Sequence, residues 1–147
     1  SIARKTRNKQ LAPEFVSILE KAATACGVIV EVHSAGQDVK GTGTRRTGSI
    51  RHDAGYAADI DLLSNNRKLD IYRDEALFRK FAKACYDAGA SAYCIAPNYM
   101  GKCRAHVDAA WTQGPWQGDP RIRARYYTWK GVEPPAWVKE AAGRKYN

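Results

Sequence analysis

Ala57-Ala58-Asp59-Ile60-Asp61-Leu62 alternates strictly between two kinds of side chain. That period belongs to a strand, with Ala58, Ile60 and Leu62 turned to a core and Asp59 and Asp61 on the opposite face. Outward from it, Val28-Ile29-Val30-Glu31-Val32 reads as another strand from its β-branched content, and Ser91 to Ile95 and Arg104 to Ala109 as two more. Phe15, Ile18, Leu19, Ala22 and Cys26 recur at helical spacing, after Pro13, which suits a first turn, and before Gly27, which suits a C-terminal cap. Leu77, Phe78, Phe81, Ala84, Cys85 and Ala88 form the stripe of a second helix from about Asp74 to Ala88, closed by Gly89; a short helix is expected near Trp137–Ala142. The order helix, strand, strand, helix, strand, strand predicts an α+β domain: a small antiparallel sheet with helices packed on one side.

The chain has 147 residues, 44% hydrophobic and 27% charged, values that place it among single globular domains. Residues 1–12 read as a loose basic arm and 13–147 as one domain, whose Trp- and Arg-rich extension from about 112 is expected to be largely irregular. No apolar run reaches the roughly 18 residues of a membrane span, and no hydrophobic signal segment opens the stretch. The net charge of +9 suits anionic polymers, whether nucleic acid, anionic membrane or cell-wall teichoic acids, or serves solubility alone. The chain is read as a monomer. Four cysteines at 26, 85, 94 and 103 form no C-x-x-C pair, which argues against a cysteine zinc ribbon. Cys26 and Cys85 fall on apolar helix faces as buried thiols; Cys94 and Cys103 flank a turn-rich segment that a disulfide would bridge in an oxidising compartment.

The chemistry gathers around two of the three histidines. In Ser49-Ile50-Arg51-His52-Asp53-Ala54-Gly55-Tyr56-Ala57-Ala58-Asp59, His52 ends a glycine-rich loop and Asp59 lies on the strand that follows. Gly55 and the small alanines allow the loop to fold back so that imidazole and carboxylate meet, a donor pair that zinc accepts. In Arg104-Ala105-His106-Val107-Asp108, His106 and Asp108 share one strand face while Val107 points to the core. If the two strands pair, three ligands converge with a position left open for water, the layout of a catalytic zinc site on the sheet.

The spacing S-x-x-H-x-x-G-x-A-x-D, followed by Ala105-His106-Val107-Asp108 with Trp111 beyond, resembles the metal motifs of the M15-type zinc peptidases over roughly residues 13–111. That group holds D-Ala-D-Ala carboxypeptidases, L-Ala-D-Glu endolysin peptidases and the hedgehog metal fold. The resemblance implies zinc held by His52, Asp59 and His106, and hydrolysis of peptide bonds in peptidoglycan, in the cell wall, periplasm or outside the cell, with a phage-encoded lysin among the candidates. It implies an acidified water and a polarised scissile carbonyl at the zinc. Family members carry a base shortly before the third ligand, where this chain has Cys103 and Arg104. The base is therefore expected at Asp108; the converse reading makes Asp108 the ligand and His106 the base. Gln37 lies where the family places its oxyanion-stabilising residue, and Arg45 and Arg46 are expected to reach substrate from the loop.

Plainer roles stand beside these. His52 and Asp59 would serve as a hydrogen-bonded pair tying a loop to a strand. Asp61 would be a solvated strand residue or an orienting partner for His52 or His106. His33 would be a surface residue, Arg45 and Arg46 solvent-facing, and the tryptophans core and lid packing or a sugar platform. Two other functions compete: a recognition module that keeps the metal site without catalysis, and a basic nucleic-acid-binding protein. The second is weakened because no basic run interleaved with aromatics occurs near the motifs.

Overall fold

The computed structural model describes residues 7–42, 48–126 and 133–143. Helix α1 spans Pro13–Cys26, with Pro13 in its first turn and Gly27 closing it at φ 64°, the left-handed geometry glycine accepts without strain. Strand β1 covers Ile29–Ser34, β2 Ala57–Ser64 and β3 Arg67–Lys68. Helix α2 runs Glu75–Asp87, then β4 Ala92–Cys94, the short helix α3 Pro97–Met100, β5 Arg104–Asp108, the short helix α4 Ala110–Gln113, and α5 Ala136–Ala142.

The predicted α+β class holds. The strands form one antiparallel sheet in the order β1-β2-β5-β4, with β3 paired to the end of β2. Ala58, Ile60, Leu62, Tyr93, Ala105 and Val107 lie buried on one face with Phe15, Ile18 and Leu19 of α1 and Phe78, Phe81 and Cys85 of α2. This apolar cluster stabilises the sheet against the helices at roughly 25 cal/mol per Å² removed from water. The other face carries polar side chains in rows. Register sets Asp61 opposite Arg104, Asp59 opposite His106 and Ala57 opposite Asp108. A bulge in β1 between Val32 and Ser34 shifts the alternation by one residue, so Ser34 pairs with Asp59 and joins the polar face.

Several expectations need correction. Residues 7–12 are tied down: Lys9 and Gly36 exchange backbone hydrogen bonds at 2.9 and 3.0 Å, and the Ala12 N–H reaches the Gly55 carbonyl. After β2 the chain turns back to β3 through a hairpin at Asn65 and Asn66, both at positive φ, which asparagine tolerates. The segment between Cys94 and Cys103 holds helix α3, and no disulfide joins the two cysteines in this structure. The segment beyond residue 112 contributes a second small apolar cluster, where Ile50, Ala110 and Ile122 pack with Trp111 and Trp116. No helix among the described residues is long and apolar enough to cross a membrane.

Candidate metal centre

His52 closes a 3-10 turn, Ile50–His52, that Ser49 caps by accepting from the Arg51 N–H at 3.1 Å. The ring is 1% exposed, and its Nδ1 lies 2.8 Å from the Ala35 carbonyl. A carbonyl only accepts, so Nδ1 carries the hydrogen and Nε2 presents a lone pair, 3.8 Å from Asp59 Oδ2. Burial drives the His52 pKa down to about 4, so the ring is neutral and a competent ligand near neutral pH.

His106 is held from both ends. Its Nε2 lies 2.7 Å from Asp108 Oδ2 and its Nδ1 3.1 Å from Asp59 Oδ1. Burial favours the neutral ring, but the hydrogen bonds and charges of Asp108 and Asp59 outweigh it and raise the pKa. Burial likewise opposes charge on Asp59, yet the His106 hydrogen bond and the neighbouring His52, His106 and Arg7 hold its carboxyl at about 2. Ligand atoms of His52, Asp59 and His106 all lie within 4.8 Å of one another.

These residues fit a cation. With Nε2–H given to Asp108, the Nδ1 lone pair faces a carboxylate oxygen at 3.1 Å. Two acceptors at that separation require a positive centre between them, either a proton or a metal ion. Tetrahedral coordination with bonds near 2.1 Å separates neighbouring ligand atoms by about 3.4 Å. His106 Nδ1 lies 3.1 Å from Asp59 Oδ1 and His52 Nε2 3.8 Å from Asp59 Oδ2, the two oxygens of one carboxylate. The cluster can hold a metal ion, and the rings of His52 and His106 meet edge-on at 5.3 Å between centroids.

Asp108 stands elsewhere than expected. It is fully buried behind the His106 ring, where Oδ2 takes His106 Nε2 and Arg51 Nη1 and Oδ1 takes Ser91 Oγ and the Ala110 N–H, each within 3.1 Å. Burial opposes its charge, but Arg51 and these hydrogen bonds hold its pKa at about 2. A carboxylate so engaged on the far side of the ring orients the imidazole.

Gln37 is likewise engaged. Its Nε2 donates to the Ser49 carbonyl at 3.0 Å and to Asp53 Oδ1 at 2.8 Å, so both amide hydrogens fasten the turn that carries His52. Arg45 and Arg46 lie outside the described residues. Asp61 neither faces solvent nor orients a histidine: Arg104 grips it through Nε at 2.9 Å and Nη2 at 3.1 Å, and Lys68 adds a contact at 3.2 Å. His33 falls beside the β1 bulge, half-buried.

Two residues that matter went unread in the sequence. Asp53 is buried and joins three segments by accepting from Gln37 Nε2, the Lys40 N–H and Trp116 Nε1. Arg51 reaches from the 3-10 turn to Asp108 and to the Ala124 carbonyl. Asp53 was visible only as the neighbour of His52; for Arg51 no local signal exists, because its partners are distant in the chain. Comparison of this chain with family models, with curated proteins and with solved structures finds no match.

Proposed function

We propose that the protein is a zinc-dependent peptidase acting on the stem peptides of bacterial peptidoglycan. The observation that carries this reading is the convergence of His52, Asp59 and His106, with each histidine's second nitrogen fixed by Ala35 or Asp108. Two imidazoles and a carboxylate suit zinc, and three protein ligands leave a fourth position for water or substrate. The motif resemblance adds the substrate class. Zinc bound there would supply an acidified water and Lewis-acid polarisation of the carbonyl. The chain's own part is to hold the ligands in one buried corner of the sheet and to keep His52 neutral.

A second reading is a recognition module that binds metal without hydrolysis. It is favoured by one observation: the carboxylates nearest the cluster in sequence, Asp53, Asp61 and Asp108, are all tied to protein partners.

Elemental analysis of wild type and His52→Ala, together with product analysis after incubation with purified peptidoglycan, separates the two. One zinc per chain, lost in the variant, with new amino termini released by wild type alone, is the expected outcome. Zinc without cleavage selects the recognition module, and no zinc removes both readings.

A further inference from the structure

Residues 7–12 pass beside the cluster and are fastened to the backbone that places His52. Ala35 serves both: its carbonyl meets His52 Nδ1 at 2.8 Å, and its N–H donates to the Arg7 carbonyl at 2.9 Å. Lys9 and Gly36 exchange two backbone hydrogen bonds, and the Ala12 N–H donates to the Gly55 carbonyl at 3.0 Å. Two glycines make the seat. A Cβ at Gly36 would come 3.0 Å from the Gln10 carbonyl oxygen, and one at Gly55 would come 2.5 Å from the same oxygen and 2.9 Å from Leu11 Cα. Only bare backbone lets the segment lie this close. The Gly55 N–H in turn donates to the His52 carbonyl at 3.2 Å.

At the head of this segment Arg7 Nη1 lies 3.8 Å from Asp59 Oδ2, a charge contact longer than a hydrogen bond. His52 Nε2 faces the same oxygen, also at 3.8 Å. His52 and His106 are each 1% exposed, and the Asp59 side chain 13%. The guanidinium therefore stands at the most exposed of the three candidate ligands. A metal ion at the usual bond length of about 2.1 Å from that oxygen would sit within about 6 Å of the Arg7 nitrogen. Two cations drawing on one carboxylate in a site so poor in water repel each other. Arg7 is the one of the two that can swing away.

We propose that residues 7–12 form a strap over the His52–Asp59–His106 cluster, latched by Arg7 on Asp59, and that the latch and residues 7–9 lift away when a divalent cation enters. Residues 10–12 stay seated against Gly36 and Gly55. Ion capture then requires an internal charge contact to break first, which makes it slow and dependent on Arg7. The inference rests on the reading of the cluster as a metal centre and needs no peptide hydrolysis.

Stopped-flow mixing of the full chain with zinc and a fluorescent zinc indicator reads the association rate, and elemental analysis reads the stoichiometry. Arg7→Gln, which removes the charge and keeps a polar side chain, should bind zinc at least about tenfold faster than wild type. Arg7→Lys, which keeps the charge, should stay near wild type. In wild type, amide hydrogen exchange should quicken at Lys9, Ala35 and Gly36 when zinc is added, while Ala12 is unchanged; an ion that only tightened the fold would slow all four. Equal association rates in wild type and Arg7→Gln overturn the latch. So does weaker zinc binding by Arg7→Gln without faster association, which would make Arg7 a fixed orienting partner of Asp59. Unchanged or slower exchange at Lys9 and Ala35 overturns the strap, and this wild-type measurement decides alone should Arg7→Gln fail to fold. Zinc held by no form of the chain removes the metal reading and the latch with it, which the stoichiometry reveals before any rate is compared.

Discussion

At the residue scale the centre depends on which ring nitrogen faces inward. Asp108 fixes that choice for His106, and Arg51 keeps Asp108 ionised by a 3.0 Å contact with side-chain exposures of 6% and 0%. Asp108→Asn keeps the shape but weakens the hold on the ring, so zinc affinity should fall about 10–100-fold, read by competition with a chromogenic chelator. Removing Arg51 instead strands a buried charge. Arg51→Met should cost about 3–5 kcal/mol in denaturant unfolding, and adding Asp108→Asn to it should restore much of that loss, since the uncompensated carboxylate is then gone. An additive double mutant would mean that the pair does not act as a unit. None of this was legible in the motif: Arg51 and Asp108 belong to different strand-loop units, and only folding makes them neighbours.

At the scale of elements, glycine shapes the loop that delivers His52. Gly55 sits at φ 87°, and a Cβ there would meet the Gln10 carbonyl at 2.5 Å and Ala12 N at 2.7 Å. Gly55→Ala should therefore destabilise by more than the roughly 1–3 kcal/mol of a left-handed strain alone, because backbone on the facing segment blocks relief. The same urea titration should show a lower midpoint with an unchanged slope. The start of α2 offers a pH test away from the centre. Asp74 accepts from the Asp70 N–H and from Arg67 and Arg73, and these partners, the backbone N–H first, depress its carboxyl to about 2. A depressed folded pKa stabilises above the ordinary carboxylate range and is lost as pH falls. Its contribution should thus be complete above about pH 4 and fade between about 4 and 2. Thermal melts of Asp74→Asn across that window should show a shallower acid decline than wild type; an identical decline would remove Asp74 from the account.

Across the whole molecule, the ligands come from a loop turn and two central strands, so an ion bound by all three ties the loop layer to the sheet. Binding to the folded chain alone raises stability by about 2.7 kcal/mol when free ion stands at 100 times Kd. For a domain of this size that corresponds to an increase in Tm of roughly 5–10 °C. Zinc should produce the shift in wild type, a chelator should reverse it, and His52→Ala should abolish it. A shift that survives in His52→Ala would place the stabilising ion elsewhere.

Periodicity is local, and so it was readable. The alternation of residues 57–62 assigns Asp59 to the polar face, the stripes of 15–26 and 77–88 give the two main helices, and His52, Asp59 and His106 stand out by residue type and spacing. Register is not local. Whether Asp59 faces His106 or its neighbour depends on how β2 and β5 slide past each other, and a slip of one residue would turn one of the two to the core. The same holds for the bulge that turns Ser34 toward Asp59, the arm that lays Arg7 against it, and the Arg51 contact that makes Asp108 an orienting group. Composition and pattern chose the elements and the candidate ligands. Tertiary packing alone chose which atoms of those residues meet, because partners distant in the chain leave no trace in each other's neighbourhood.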